Sequence, residues 1–207
     1  MRDHIRFLRR GDIVELNDVK PTDMLLTYLR EVEGSRGTKE GCNEGDCGAC
    51  SVVLARWQEG KIHYAPINAC IFPMAMLDGA WLLTVEEWAA EGGKLHPMQQ
   101  AVVDHHGSQC GFCTPGFIST MIAGQLRQDS ASPETLMAGN LCRCTGYGGL
   151  IKAYEATKET AQPDWIKAQI RSAEKILPLL QGGDFELKTE QGTIYAPSTV
   201  TDFAAYR

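Results

Sequence analysis

The sequence predicts an α+β protein: a small sheet crossed by one helix over residues 1–82, a wholly helical segment over 83–162, and a different tail over 163–207. Three observations carry this. Short apolar runs rich in β-branched and aromatic residues fill the first segment, broken once by a helical spacing. Beyond residue 97 the apolar positions recur at three and four. The eight cysteines fall into two sets of four, one set in each of the first two segments, with none left over.

The elements follow in order. IRFLRRGDIVEL alternates around Gly11-Asp12, a hairpin signature. After Pro21, Leu25, Leu26, Leu29 and Val32 recur as on one helix face. SVVLARW after Cys50 predicts a strand, and Trp81, Leu82 and Leu83 another. In the second segment Pro97 suits a helix start, with Met98, Ala101, Val102 and His105 on one face. Phe117, Ile118, Met121 and Ile122 continue a helix opened by Thr114-Pro115. Ser132-Pro133-Glu134 marks another N-terminus, and Leu150, Tyr154 and Thr157 share a face of the last helix. Four helices with short loops predict a compact bundle, with methionines as core filler. In the tail, Ile166, Ile170, Ala173, Leu177 and Leu180 predict one more amphipathic helix, ended by Gly182-Gly183. The rest, DFELKTEQGTIYAPSTVTDFAAYR, is polar and lacks a core of its own. It fits a short hairpin packed on another surface, a linker, or the opening of a further domain.

The first cysteine set is Cys42, Cys47, Cys50 and Cys70. Its C-x4-C-x2-C run with a distant fourth thiol is the spacing of plant-type 2Fe-2S ferredoxins, and the surrounding α+β pattern suits a β-grasp ferredoxin fold. Gly41, Gly45 and Gly48 sit among the thiols, where a tight loop needs unusual backbone angles. The second set, Cys110, Cys113, Cys142 and Cys144, has the form C-x2-C then C-x-C, in QCGFCTPGF and LCRCTGYGG. Thr114 and Thr145 each follow a thiol pair and are expected to start a helix there. Two positive helix ends would then converge on an anionic cluster.

Rival uses of cysteine quartets fit less well. Structural zinc prefers C-x2-4-C twice. A disulfide framework needs an oxidising compartment, and MRDHIRFLRRGD carries no signal-peptide core. Rieske ligation needs C-x-H pairs, which His4, His63, His96, His105 and His106 do not form. The net charge of −6 argues against nucleic acid. No apolar run approaches the ~20 residues of a membrane span. Reduced thiols favour the cytoplasm. A hydrophobic content of 43% allows a packed core.

GTKEGCNEGDCGAC, LHPMQQAVVDHHGSQCGFCTPGF and GNLCRCTGY resemble the iron–sulfur region of molybdenum hydroxylases, above all the small subunit of bacterial xanthine dehydrogenase. The resemblance covers essentially the whole chain. It implies two 2Fe-2S clusters, held by the two cysteine sets. It implies a large partner subunit with a molybdenum–molybdopterin cofactor that hydroxylates a purine, and electrons passing through the second cluster, then the first, then FAD, to NAD. It further implies a hetero-oligomer, with Gln109 and Cys144 against the pterin. From the residues alone, Gln109 is a surface or helix-capping amide. The family linker leads into a flavin domain whose opening is similar to YAPSTVTDFAAYR. No Gly-rich flavin segment precedes Arg207, so FAD is expected in a missing or separate domain. Aldehyde, carbon monoxide and N-heteroaromatic hydroxylases share both motifs, and a stand-alone two-cluster ferredoxin is a further alternative. Arg143, between two thiols, is either a solvated side chain or a charge that raises the second cluster's potential.

Overall fold

The computed structural model describes residues 2–205. Strands β1 (Ile5–Arg9) and β2 (Asp12–Leu16) form the expected hairpin, paired Ile5 to Leu16 through Arg9 to Asp12. Strands β3 (Ser51–Gln58), β4 (Lys61–Asn68) and β5 (Ala80–Leu83) complete a sheet of order β2-β1-β5-β3-β4, in which only β1 and β5 run parallel.

Side-chain alternation on β3 and β5 explains the architecture. Successive strand residues point to opposite faces. Val52, Leu54, Ala80 and Leu82 point to one side and pack with Ile5, Phe7, Leu25, Leu26 and Leu29. Val53, Ala55, Trp81 and Leu83 point to the other and pack with Phe117, Ile118, Met121, Leu177 and Leu180. Both strands are therefore covered on both faces, which is why they are apolar throughout.

The helical residues lie on that second face. They form α2 (Pro97–Asp104), α3 (Thr114–Arg127), the single turn α4 (Pro133–Leu136) and α5 (Gly148–Thr157). Helix α6 (Asp164–Leu180) buries Ile166, Ala173, Leu177 and Leu180 against the same core, as its spacing predicts. One buried cluster thus takes residues from both sides of position 82.

Three details differ from expectation. The helix after Pro21 is only α1 (Leu25–Thr27), continued by a π turn over Tyr28–Val32, so Leu29 is buried but Val32 is exposed. His105 is the exposed C-cap of α2 and does not share its buried face. Strand β4 is absent from the sequence prediction. It is an edge strand containing Pro66, with a mixed burial pattern in place of clean alternation.

The tail folds into the hairpin β6 (Phe185–Thr189) and β7 (Gly192–Ala196), followed by α7 (Val200–Ala205). The hairpin docks on the N-terminus, where Arg2 N donates to Asp184 O and Glu186 N to Arg2 O. Phe185 and Leu187 enter the core beneath α1. Tyr206 and Arg207, the last residues of the flavin-domain resemblance, lie outside the described residues. Among the described residues no helix is long and apolar enough to cross a membrane.

Candidate metal centres

The loop from Gly41 to Cys50 wraps around its own thiols. Cys42 N donates to Cys47 Sγ at 3.4 Å, and Asp46 N and Cys47 N donate to Cys42 Sγ at 3.4 and 3.3 Å. Backbone N–H groups, of Cys47 first and then of Glu44 and Asp46, hold the Cys42 thiol down at about 7. Cys50 and Cys70 lie together in the buried core under α1. Burial, with Cys70 and Cys47 close by, pushes Cys50 up to about 12.

The second set is assembled from two segments, Cys110 to Cys113 and Cys142 to Cys144. Cys113 ends a loop and is the N-cap of α3, so the positive end of that helix faces the thiols. Cys110 and Cys144 meet with sulfurs 3.6 Å apart and are exposed. Cys113 and Cys142 lie further in. Burial first, then contact with Cys142 and the charge of Cys110, pushes Cys113 up to about 12.

The helix starts need correction. Thr114 is the first helical residue, not the cap, and its hydroxyl bonds Ser108 Oγ at 2.8 Å. Thr145 starts no helix. Its hydroxyl lies 3.1 Å from Cys142 Sγ and accepts from Tyr147 N at 3.2 Å, while α5 begins at Gly148 behind Tyr147. The hydroxyl accepts in a local turn, and the left-handed backbone of Tyr147 (φ +66°) delays the helix to Gly148. The Tyr147 hydroxyl accepts from Cys142 N at 2.9 Å. Gln109, Arg143 and Cys144 are all exposed beside this set, and exposed Phe112 and Leu141 flank it.

All eight cysteines are free. Each quartet is a pair of pairs: Cys42 with Cys47 and Cys50 with Cys70, then Cys110 with Cys144 and Cys113 with Cys142. Among the described residues no group of three or more His, Cys, Asp or Glu side chains is fit to hold a lone metal ion. Burial and the neighbouring sulfurs hold protons on Cys50 and Cys113, and such groups ionise beside other thiolates only around a cationic centre. Two thiolates for each of two irons is the arrangement these donors fit.

Sequence reasoning missed Tyr147 and Asn140 as parts of this region. The signal for Asn140 was its place after Gly139 and just ahead of a cysteine pair, where a short amide side chain readily bonds nearby backbone.

Comparison with known proteins matches residues 9–75 to the 2Fe-2S iron-sulfur cluster binding domain family and residues 84–155 to the 2Fe-2S binding domain family. Xanthine dehydrogenase/oxidase of Gallus gallus is 41% identical over 157 residues, covering 73% of this chain and 12% of that protein. Aldehyde oxidase 1 of Oryctolagus cuniculus is 41% identical over 160 residues, covering 75% of this chain and 12% of that protein. The chain thus spans only 12% of the length of these relatives. Among solved structures, a chain of quinoline 2-oxidoreductase from Pseudomonas putida 86 superposes with a TM-score of 0.62 at 30% identity, covering 84% of this chain and 96% of that one. Aldehyde oxidoreductase from Desulfovibrio gigas gives a TM-score of 0.64 at 33% identity, covering 83% of this chain and 18% of that one.

Proposed function

Because this chain belongs to the molybdenum hydroxylase family, in that family's iron–sulfur part, we propose that it relays electrons from a molybdenum–molybdopterin cofactor in a large partner subunit toward FAD and NAD during hypoxanthine or xanthine hydroxylation. When bound, a 2Fe-2S cluster supplies a site that takes up and gives back one electron at a time.

In this reading Cys42, Cys47, Cys50 and Cys70 hold the first cluster, and Cys110, Cys113, Cys142 and Cys144 the second. Residues 1–82 carry the first, residues 83–162 the second, and residues 163–207 connect to an FAD-binding domain or subunit. The supporting observation is the layering of the thiols. Cys110 and Cys144 are exposed beside Gln109, while Cys50 and Cys70 are buried. The exposed pair offers the way in from the partner's cofactor, with Gln109 and Cys144 nearest to it. Apolar Phe112 and Leu141 on the same surface suit a subunit contact.

A second reading keeps the relay and changes the substrate. Identity to aldehyde oxidase 1 equals that to xanthine dehydrogenase/oxidase, 41% in each case, so an aldehyde or N-heteroaromatic substrate is its alternative.

The test is anaerobic purification of the native complex with metal and sulfide analysis. About four irons per chain, visible absorption, molybdenum in a co-purifying large subunit and turnover of xanthine with NAD are expected. Turnover of aldehydes or quinolines alone selects the second reading. Colourless protein holding zinc overturns both.

A further inference from the structure

The two thiol quartets touch through their backbones. Leu141 N donates to Cys47 O at 2.9 Å, and Leu141 is bonded directly to Cys142. The covalent path between a thiol of the first set and one of the second therefore crosses a single hydrogen bond.

That bridge is held by Asn140, which is 4% exposed. Its Nδ2 donates to Gly48 O at 2.9 Å and to Ser51 Oγ at 3.2 Å. Its Oδ1 accepts from Thr120 Oγ1 at 2.9 Å. One amide so ties the first cysteine loop, β3 and α3 to the segment entering Cys142. Each partner is buried, so loss of the amide leaves unpaired polar groups away from water.

The surrounding contact admits no side chain. Gly48 has φ +68°, and a Cβ there would run into Gly139 O and Asn140. A Cβ on Gly116, in the first turn of α3, would strike Gly48 O. Glycine at both positions lets the first cysteine loop approach residues 139–140 on one side and α3 on the other, backbone to backbone.

We propose that Asn140 is a positioning residue for electron exchange between the two centres: with the Gly48–Gly116 contact it fixes the spacing that makes the Leu141 N–H to Cys47 carbonyl hydrogen bond their bridge. The proposal rests on the reading that both quartets hold clusters. The step moves one electron, so one centre is oxidised as the other is reduced, and no bond forms or breaks. Electronic coupling falls steeply with distance, so a small separation of the loops slows the exchange while leaving each centre intact.

The experiment uses the native complex carrying Asn140→Ala and, separately, Gly116→Ala. Iron content and the visible spectrum come first. If wild-type protein lacks iron, the cluster reading itself has failed, and the bridge with it. In loaded variants, the fully reduced protein is examined by low-temperature EPR for spin–spin splitting between the two centres, together with each centre's potential and the rate of electron redistribution after rapid partial reduction. The expected result is weakened splitting and several-fold slower redistribution, with potentials unchanged and faster hydrogen exchange at the Leu141 amide. Wild-type splitting and wild-type redistribution in both loaded variants overturn the proposal. If Asn140→Ala loads poorly, Asn140→Asp replaces it. That variant keeps the volume and the Thr120 acceptor but loses both donors, and the same outcomes decide.

Discussion

Thr145 holds Cys142 twice: its hydroxyl lies 3.1 Å from the sulfur, and its backbone N–H donates to the same atom at 3.4 Å. These bonds, with Cys144 N–H, outweigh burial and keep the Cys142 thiol below its ordinary range. Donors aimed at a ligand sulfur stabilise the more negative, reduced form of a cluster.

Thr145→Val removes the hydroxyl and keeps the backbone bond. The second centre's reduction potential should fall, while the first centre's stays put. Redox titration followed by EPR separates the two. An unchanged second potential would show that the hydroxyl does not act on the cluster.

Arg143 tests charge instead of hydrogen bonding. It is exposed beside Cys142 and Cys144, so solvent screens its field. Arg143→Ala should lower the second potential by less than Thr145→Val does, and added salt should shrink the difference. A value equal to wild type at low salt removes any role for this charge.

His96 sets a pH dependence. It is fully buried. Its Nδ1 accepts from Met98 N at 3.0 Å, capping α2, so its Nε2 carries the proton given to Gln162 Oε1 at 2.9 Å. Gln162 donates to Gln125, which donates to Thr157 O and Thr160 O. Burial lowers the His96 pKa despite that bond. The unfolded chain then gains a proton first as pH falls. The contribution is whole above about 6.5, the unperturbed histidine value, and is lost as pH drops through the lower folded value. Urea midpoints measured from pH 7.5 to 5 should decline, and His96→Asn, which can still cap, should flatten the decline. An equal slope in the variant would assign the pH dependence to other groups.

Arg9 is 4% exposed and lies between Glu33 and Glu87, each at 2.6 Å. Burial disfavours its charge, yet Glu33 and Glu87 keep its pKa raised. Arg9→Ala leaves Glu33 and Glu87 only the half-exposed Arg10, at 3.2 and 3.1 Å, as a cationic partner, and should cost roughly 3 kcal/mol by denaturant unfolding. A loss below about 1 kcal/mol would place the pair among ordinary surface bridges.

Chelating the metal should loosen the Cys42–Cys47 turn most, because the N–H groups of Cys42, Asp46 and Cys47 all donate to its own sulfurs. Hydrogen exchange there should rise far more than in β3 or α3. Uniform protection before and after chelation would mean that the loop stands without metal.

Much of this was legible in the chain. Cysteine spacing divided the thiols into the same two sets of four that the fold gathers. The apolar run SVVLARW foretold a strand, and the helical spacing of Phe117 to Ile122 foretold a buried helix face. What stayed hidden depends on distant partners. Strand β4 exists because β3 offers it an edge, which no local pattern in KIHYAPIN announces. Thr145 looked like a cap because Thr often caps, but left-handed Tyr147 delays the helix to Gly148. Asn140 acts through Gly48, Ser51 and Thr120, none of them close in sequence. The tail hairpin was one of several options until Arg2 and Phe185 decided it.

The single buried cluster that takes in β3, β5, α3 and α6 leaves no hinge between the thiol quartets. An electron crossing from one to the other would not wait for any swing of one half against the other. Its pace would be set by separation and energy gap alone, the first fixed where Gly48 meets Asn140 and the second by groups such as the Thr145 hydroxyl beside Cys142.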